Sequence, residues 1–240
     1  MTLLHTQGLG VSFGGVHAVK EVDFTLQSGE LRCLIGPNGA GKSTFFKMLS
    51  GQLKPTRGVC HFNGQRISGL APHQVARLGI GIKTQTPSVF DGLDVLENLR
   101  LAASRLQAKT QARETAEQTL ERIGLTELRS RLVGDLAHGQ RQWVELGMIL
   151  ASRPTLVLLD EPAAGMTHQE VRKTAALIKE INAHSTVVVV EHDMEFIRLI
   201  AGTVTVFNQG AVLAQGSFAE VTQNPAVREA YLGKQENKHA

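Results

Sequence analysis

Cysteine is scarce in this chain of 240 residues: only Cys33 and Cys60 occur. Neither sits in a metal-type spacing, so a disulfide scaffold and a zinc module are both excluded, and a reducing compartment is expected. Aromatic residues make up 5%, with one Trp and one Tyr. No dense Lys/Arg run is interleaved with them, which argues against direct nucleic-acid binding. Long apolar runs are missing too. The four valines Val187, Val188, Val189 and Val190 form one of the longest, far short of a bilayer span. The start, Met-Thr-Leu-Leu-His, has no charged segment leading into an apolar stretch, so no signal peptide is expected. Repeats, low-complexity tracts and heptads are also absent, which excludes a solenoid and a long coiled coil. What remains is 42% hydrophobic and 20% charged, with net charge +3 and a pI of about 9.0. That is a soluble globular chain, and any membrane role must come through partners.

The pattern along the chain is α/β. From about Leu3 to Phe62 short strands and turns alternate. Val22, Phe24 and Leu26 interleave with Asp23, Thr25 and Gln27 as a half-buried strand. Ser12, Phe13, Gly14 and Gly15 make a turn, and Asn63-Gly64 is a hairpin signal. Pro72 opens a short helix. Helical spacing then dominates, with Ala112, Ala116, Leu120 and Ile123 forming one apolar face. This reads as a helical subdomain, about residues 90–152, inserted into one domain spanning 1–240. Buried strands return at Leu156 to Leu159 and Thr186 to Val190, with an amphipathic helix between them from Val171 to Ile181. A terminal hairpin turns at Asn208-Gln209-Gly210, and a polar tail runs from Lys234 to Ala240.

The chemistry concentrates in one run: Gly36, Pro37, Asn38, Gly39, Ala40, Gly41, Lys42, Ser43, Thr44. It fits G-x-x-x-x-G-K-[ST] and lies between the apolar strand around Leu31, Cys33, Leu34 and Ile35 and a helix opening near Thr44. Glycines let backbone N–H groups approach phosphate oxygens, and the helix start adds positive potential. Lys42 is placed to meet the β- and γ-phosphates and the Ser43 hydroxyl to ligate Mg2+. Asp160 ends an apolar strand, where it can meet the same metal, and Glu161 follows as a candidate to polarise the attacking water. His192 closes another buried strand after Glu191 and is expected to contact the γ-phosphate. Gln85 follows Ile80 and Ile82 on a third strand end and is a candidate ligand for metal or water. Leu136, Ala137, His138, Gly139 and Gln140 read as a helix N-terminus able to bind an anion, but away from the sheet and without a use inside one chain.

Taken in order, these segments resemble the ATP-binding subunits of ABC transporters, from about Leu9 to Gly233. The resemblance implies a P-loop fold of ABC type: a mostly parallel core sheet, an antiparallel β subdomain and a helical subdomain. It implies ATP and Mg2+ as cofactors, ATP hydrolysis, and Phe13 stacked on adenine. Residues 136–140 would be the signature that completes the ATP site of a second subunit. Gln85 would be the Q-loop residue and His192 the switch histidine. The implied partners are a second ATP-binding subunit, head to tail, and membrane permeases that hold the chain at the inner face of the cell membrane. The signature departs from Leu-Ser-Gly-Gly-Gln: Ala137 replaces Ser and His138 the first Gly. The following loop offers Thr167 where many members carry Asp. Residues 136–143, 160–167 and 224–233 look like the branched-chain amino acid and urea importer branch. Within that branch His138, Trp143 and the run 191–196 look most like the urea member. The solute expected from this is urea or a short-chain amide, with branched-chain amino acids as the alternative and a non-transport ABC ATPase as the rival class.

Overall fold

The computed structural model describes residues 1–105 and 107–232; the tail from Lys234 to Ala240 lies outside them. The chain opens with β1 (Thr2–Phe13) and β2 (Val16–Gln27), an antiparallel pair. Val22, Phe24 and Leu26 are buried and their neighbours Asp23 and Thr25 exposed, as the alternation requires. Both strands run 12 residues, longer than the sequence suggests. Register shifts interrupt the pairing at several points, and each shift breaks the period-2 signal that marks a strand. β4 (Arg57–Phe62) and β5 (Gln65–Arg66) add to this sheet, in the order β2-β1-β4-β5. Their turn carries Asn63 at φ 48° and Gly64 at φ 75°, the two positive values that a tight hairpin needs.

The second sheet contains β3 (Leu31–Ile35), β6 (Ile80–Lys83), β7 (Leu156–Asp160), β8 (Thr186–Val190), β9 (Thr203–Asn208) and β10 (Ala211–Gly216). Its order is β10-β9-β3-β8-β7-β6, parallel throughout except for the β9-β10 hairpin. β3, β7 and β8 are buried along their whole length, as a sheet covered on both faces demands. Alternate residues feed two cores. Leu34, Leu156, Leu158, Val188 and Val190 pack toward the antiparallel sheet, and Cys33, Val157, Leu159, Val187 and Val189 toward the helices.

Helix α1 (Lys42–Leu49) sits between the sheets. Phe45 fixes it, its ring centroid 5.4 Å from that of Phe24 and 5.2 Å from that of Phe207. α2 (Pro72–Arg77) precedes β6, and α3 (Val95–Ala103), α4 (Lys109–Arg122) and α5 (His138–Ser152) lie between β6 and β7. Ala112, Ala116, Leu120 and Ile123 are all buried. α6 (His168–Asn182), α7 (Met194–Ile200), α8 (Phe218–Gln223) and α9 (Pro225–Leu232) are the remaining α-helices of the described residues. The C-terminal ends of β3, β7, β8 and β6 share one edge of the parallel sheet, the usual ligand position in such folds.

Candidate functional site

The glycine loop joins β3 to α1, and its backbone depends on glycine at two places. Gly36 has φ 149°, and a Cβ there would overlap the Phe207 carbonyl oxygen. Gly41, the N-cap of α1, has φ 102°, and its Cβ would lie 2.6 Å from the Ala18 carbonyl. No side chain caps α1 and no acid occupies its first turn, so its N–H donors and positive end remain directed into the loop. Lys42 is buried at 8% exposure, with Nζ donating to the carbonyls of Gly36 at 2.7 Å and Pro37 at 3.1 Å. The amine is thus held across the loop it would serve. Asn38 and Gly39 are exposed, Pro37 and Ala40 buried, Ser43 and Thr44 half-buried.

Asp160 ends β7 at 5% exposure, and its Oδ1 has no hydrogen-bond partner. Burial raises its carboxyl pKa, the neighbouring Glu161 adds to that, and Lys47, Lys83 and Lys42 oppose it. A buried carboxylate oxygen without a donor, within electrostatic reach of the loop lysine, suits a divalent cation. Glu161 adopts φ 47°, a left-handed backbone unusual for Glu, and its N–H bonds the Val190 carbonyl at 2.9 Å. His192 lies past the end of β8 with Nδ1 3.4 Å from Glu161 Oε1. The expected acid and histidine therefore meet directly.

Gln85 and the 136–140 segment sit apart from that pair. β6 ends at Lys83, and Gln85 is exposed two residues further on, bonded to no other site residue. Strand-end spacing suggested otherwise because it ran the strand too far: the residue buried at this strand end is Lys83. Phe13 is 52% exposed at the end of β1, an open aromatic face. Leu136 is buried, Ala137 is the N-cap of α5, and Gln140 Oε1 accepts from the Ala137 N–H at 3.1 Å. Gly139 is buried, and a Cβ on it would strike the Glu170 carboxylate of α6. Within its own chain the segment also makes a contact through a side chain: His138 Nε2 lies 3.2 Å from the Ala164 carbonyl.

Three polar residues at the site escape sequence reasoning. Glu191, 2% exposed, accepts from the N–H groups of Ala163 at 3.3 Å, His192 at 3.0 Å and Asp193 at 3.4 Å. It pins the segments after β7 and β8 to one another, and burial raises its pKa against those bonds. Its signal was a lone acid directly after four valines. Lys83, fully buried, lies 3.7 Å from Glu145 Oε2 of α5, too long for a hydrogen bond, so the pair is a Coulombic contact. Burial lowers the lysine's pKa and raises the acid's. Glu145 Oε1 accepts from the Ser88 N–H at 2.9 Å. Nothing local in the sequence pairs residues so far apart.

A parallel sheet, a glycine loop opening a helix and a buried aspartate on a neighbouring strand define a P-loop nucleoside triphosphatase. A profile of the family described as ABC transporter matches residues 19–164. Another, described as branched-chain amino acid ATP-binding cassette transporter, matches residues 211–237. The chain is 36% identical to the high-affinity branched-chain amino acid transport ATP-binding protein BraF of Pseudomonas aeruginosa, over 97% of this chain and 98% of that one. Identity to LivG of Escherichia coli, of the same description, is 37% with the same coverage. The ADP conformation of MJ1267, an ATP-binding cassette of an ABC transporter, superposes at a TM-score of 0.85 and 28% identity, covering 97% and 99% of the two chains. The chain belongs to the ABC transporter family, as an ATP-hydrolysing, ATP-binding subunit of the branched-chain amino acid importer type.

Proposed function

We propose that this chain powers an importer for branched-chain amino acids, as one of two head-to-tail ATPase subunits docked on membrane permeases at the cytoplasmic face. The agreement of two stretches carries the solute class: near full-length likeness to BraF and LivG, and the separate C-terminal match at 211–237. ATP would lie along residues 36–44 with its adenine on Phe13. Lys42 would exchange its two loop carbonyls for phosphate oxygens. Mg2+ would be held by Ser43 and Asp160, the latter offering its unpartnered Oδ1, and would neutralise phosphate charge when bound. Gln85 would join only if the segment after Lys83 moves inward. Glu161 would take the proton of the attacking water, with His192 beside it as orienter and γ-phosphate contact.

The start of α5 would complete the partner's site. It carries no acid in its first turn, and the first backbone N–H bonded within the helix is that of Arg141. The donors before it are available to an anion. The second reading, a urea importer, is favoured by His138, Trp143 and residues 191–196; the relatives named above favour branched-chain amino acids. An ATPase subunit feels the solute only as a coupling free energy relayed through permeases and binding protein. ATP hydrolysis by the reconstituted complex is therefore the test. Leucine should stimulate it and urea should not. The reverse selects urea, and a response to neither overturns both solute readings.

A further inference from the structure

We infer that His138 is a positioning residue that latches the loop 164–167 to the start of α5, and through that loop sets Glu161. The inference rests on the proposed role of Glu161, but the latch is tested separately from it. His138 stands where the resembled signature has glycine, so its side chain adds something that signature lacks. Its Nε2 lies 3.2 Å from the Ala164 carbonyl. A carbonyl only accepts, so Nε2 carries the proton. The Gln142 carboxamide, one turn along α5, is 3.3 Å from the same nitrogen, and its buried Oε1 has no partner. Turning the amide offers that oxygen to Nε2–H as a second acceptor, with the amide nitrogen taking the partnerless position. The imidazole also lies against Gly165, where an added Cβ would be 3.6 Å from the ring.

The latch does not stand alone. Trp143 Nε1 donates to Thr174 Oγ1 at 3.1 Å, and the Thr174 hydroxyl reaches Met166 Sδ at 3.1 Å. Lys173 Nζ sits 3.6 Å from the Trp143 ring centroid. Thr167 caps α6, its N–H held at 2.8 Å by the Glu170 carboxylate that covers Gly139. The loop is thus tied to α5 directly at Ala164 and, at its other end, through Glu170 and Thr174 of α6. Its link back to the chemistry is short: the Ala164 N–H bonds the Glu161 carbonyl at 3.3 Å, and the Ala163 N–H bonds Glu191. Any shift of α5 is passed to the backbone that presents the Glu161 carboxylate. Of these contacts, the one from His138 joins the loop to α5 directly and is exposed, so it is simple to remove.

The test compares His138→Ala with His138→Gln, whose amide nitrogen reaches about as far as Nε2 and can donate to the same carbonyl. Both retain the fold, because His138 is exposed. Hydrogen exchange is read at the Ala164 and Met166 amides, which are bonded to the Glu161 and Ala163 carbonyls. In His138→Ala their exchange should rise about 3- to 10-fold, the scale of one neutral hydrogen bond, with β7 and α6 unchanged. kcat should fall by a similar factor, and His138→Gln should restore both exchange and turnover. Wild-type exchange at the two amides in His138→Ala would overturn the latch, whatever happens to turnover. Raised exchange with unchanged kcat would overturn its link to Glu161. Failure of Gln to restore either would overturn the donor role.

Discussion

Lys42 is stored against the carbonyls of its own loop, so its removal tests binding without emptying a core. Lys42→Ala should weaken ATP binding about 10- to 100-fold, the range for a charged hydrogen-bonding group, with an unchanged circular-dichroism spectrum. Wild-type ATP titration and turnover in a folded variant would refute its phosphate role. Asp160 has the opposite character, since its raised pKa means burial penalises the charged form. Between its unfolded and folded pKa values the native state binds more protons than the unfolded, so this group's contribution makes stability fall as pH rises through that window. Asp160→Asn should therefore raise stability at neutral pH by about 0.5–2 kcal/mol, as relief at functional sites commonly does, while Mg2+-dependent turnover collapses. Thermal melts at several pH values measure it, and a lower Tm at pH 7 would contradict it. The positions from Gly36 to Thr44 and at Asp160 and Glu161 were legible because the motif spacing that places them is local. Glu191, Lys83 and Glu145 were not, because each acquires its role only by packing against a distant segment.

Between elements, the buried Lys83–Glu145 contact fastens the end of β6 to α5, and Ser88 adds the following loop to the same carboxylate. Lys83→Met should cost about 3–5 kcal/mol by stranding a buried acid, and Lys83→Met with Glu145→Leu should cost clearly less. Guanidinium unfolding of the single and double variants measures the coupling; additive losses would show the pair to be independent. Gly139 illustrates how packing redirects a sequence argument. Its place in the 136–140 segment marks it for a partner's site, but a Cβ there would meet the Glu170 carboxylate that holds the Thr167 N–H. The helices of the insertion and the three Gly-containing turns were legible from period and turn chemistry. The full lengths of β1 and β2 were not, since bulges erase alternation where they bend the strand.

At the scale of the whole molecule, the described residues contain no helix long and apolar enough to cross a membrane. The family membership fits the arrangement proposed above, with candidate nucleotide residues at the sheet edge and the 136–140 segment on the helical side. The central claim is that Glu161 drives hydrolysis in a site completed by a second copy or a paralogue. Glu161→Gln tests it most directly, because it keeps the shape of the side chain and removes only its basicity. With ATP and Mg2+, turnover should fall roughly 10²-fold or more, the scale of a lost general base. The stalled protein should then elute from gel filtration at dimer mass, and return to monomer when ATP is withdrawn. Hydrolysis at the wild-type rate, or a stalled variant that remains monomeric in saturating ATP, would contradict the account.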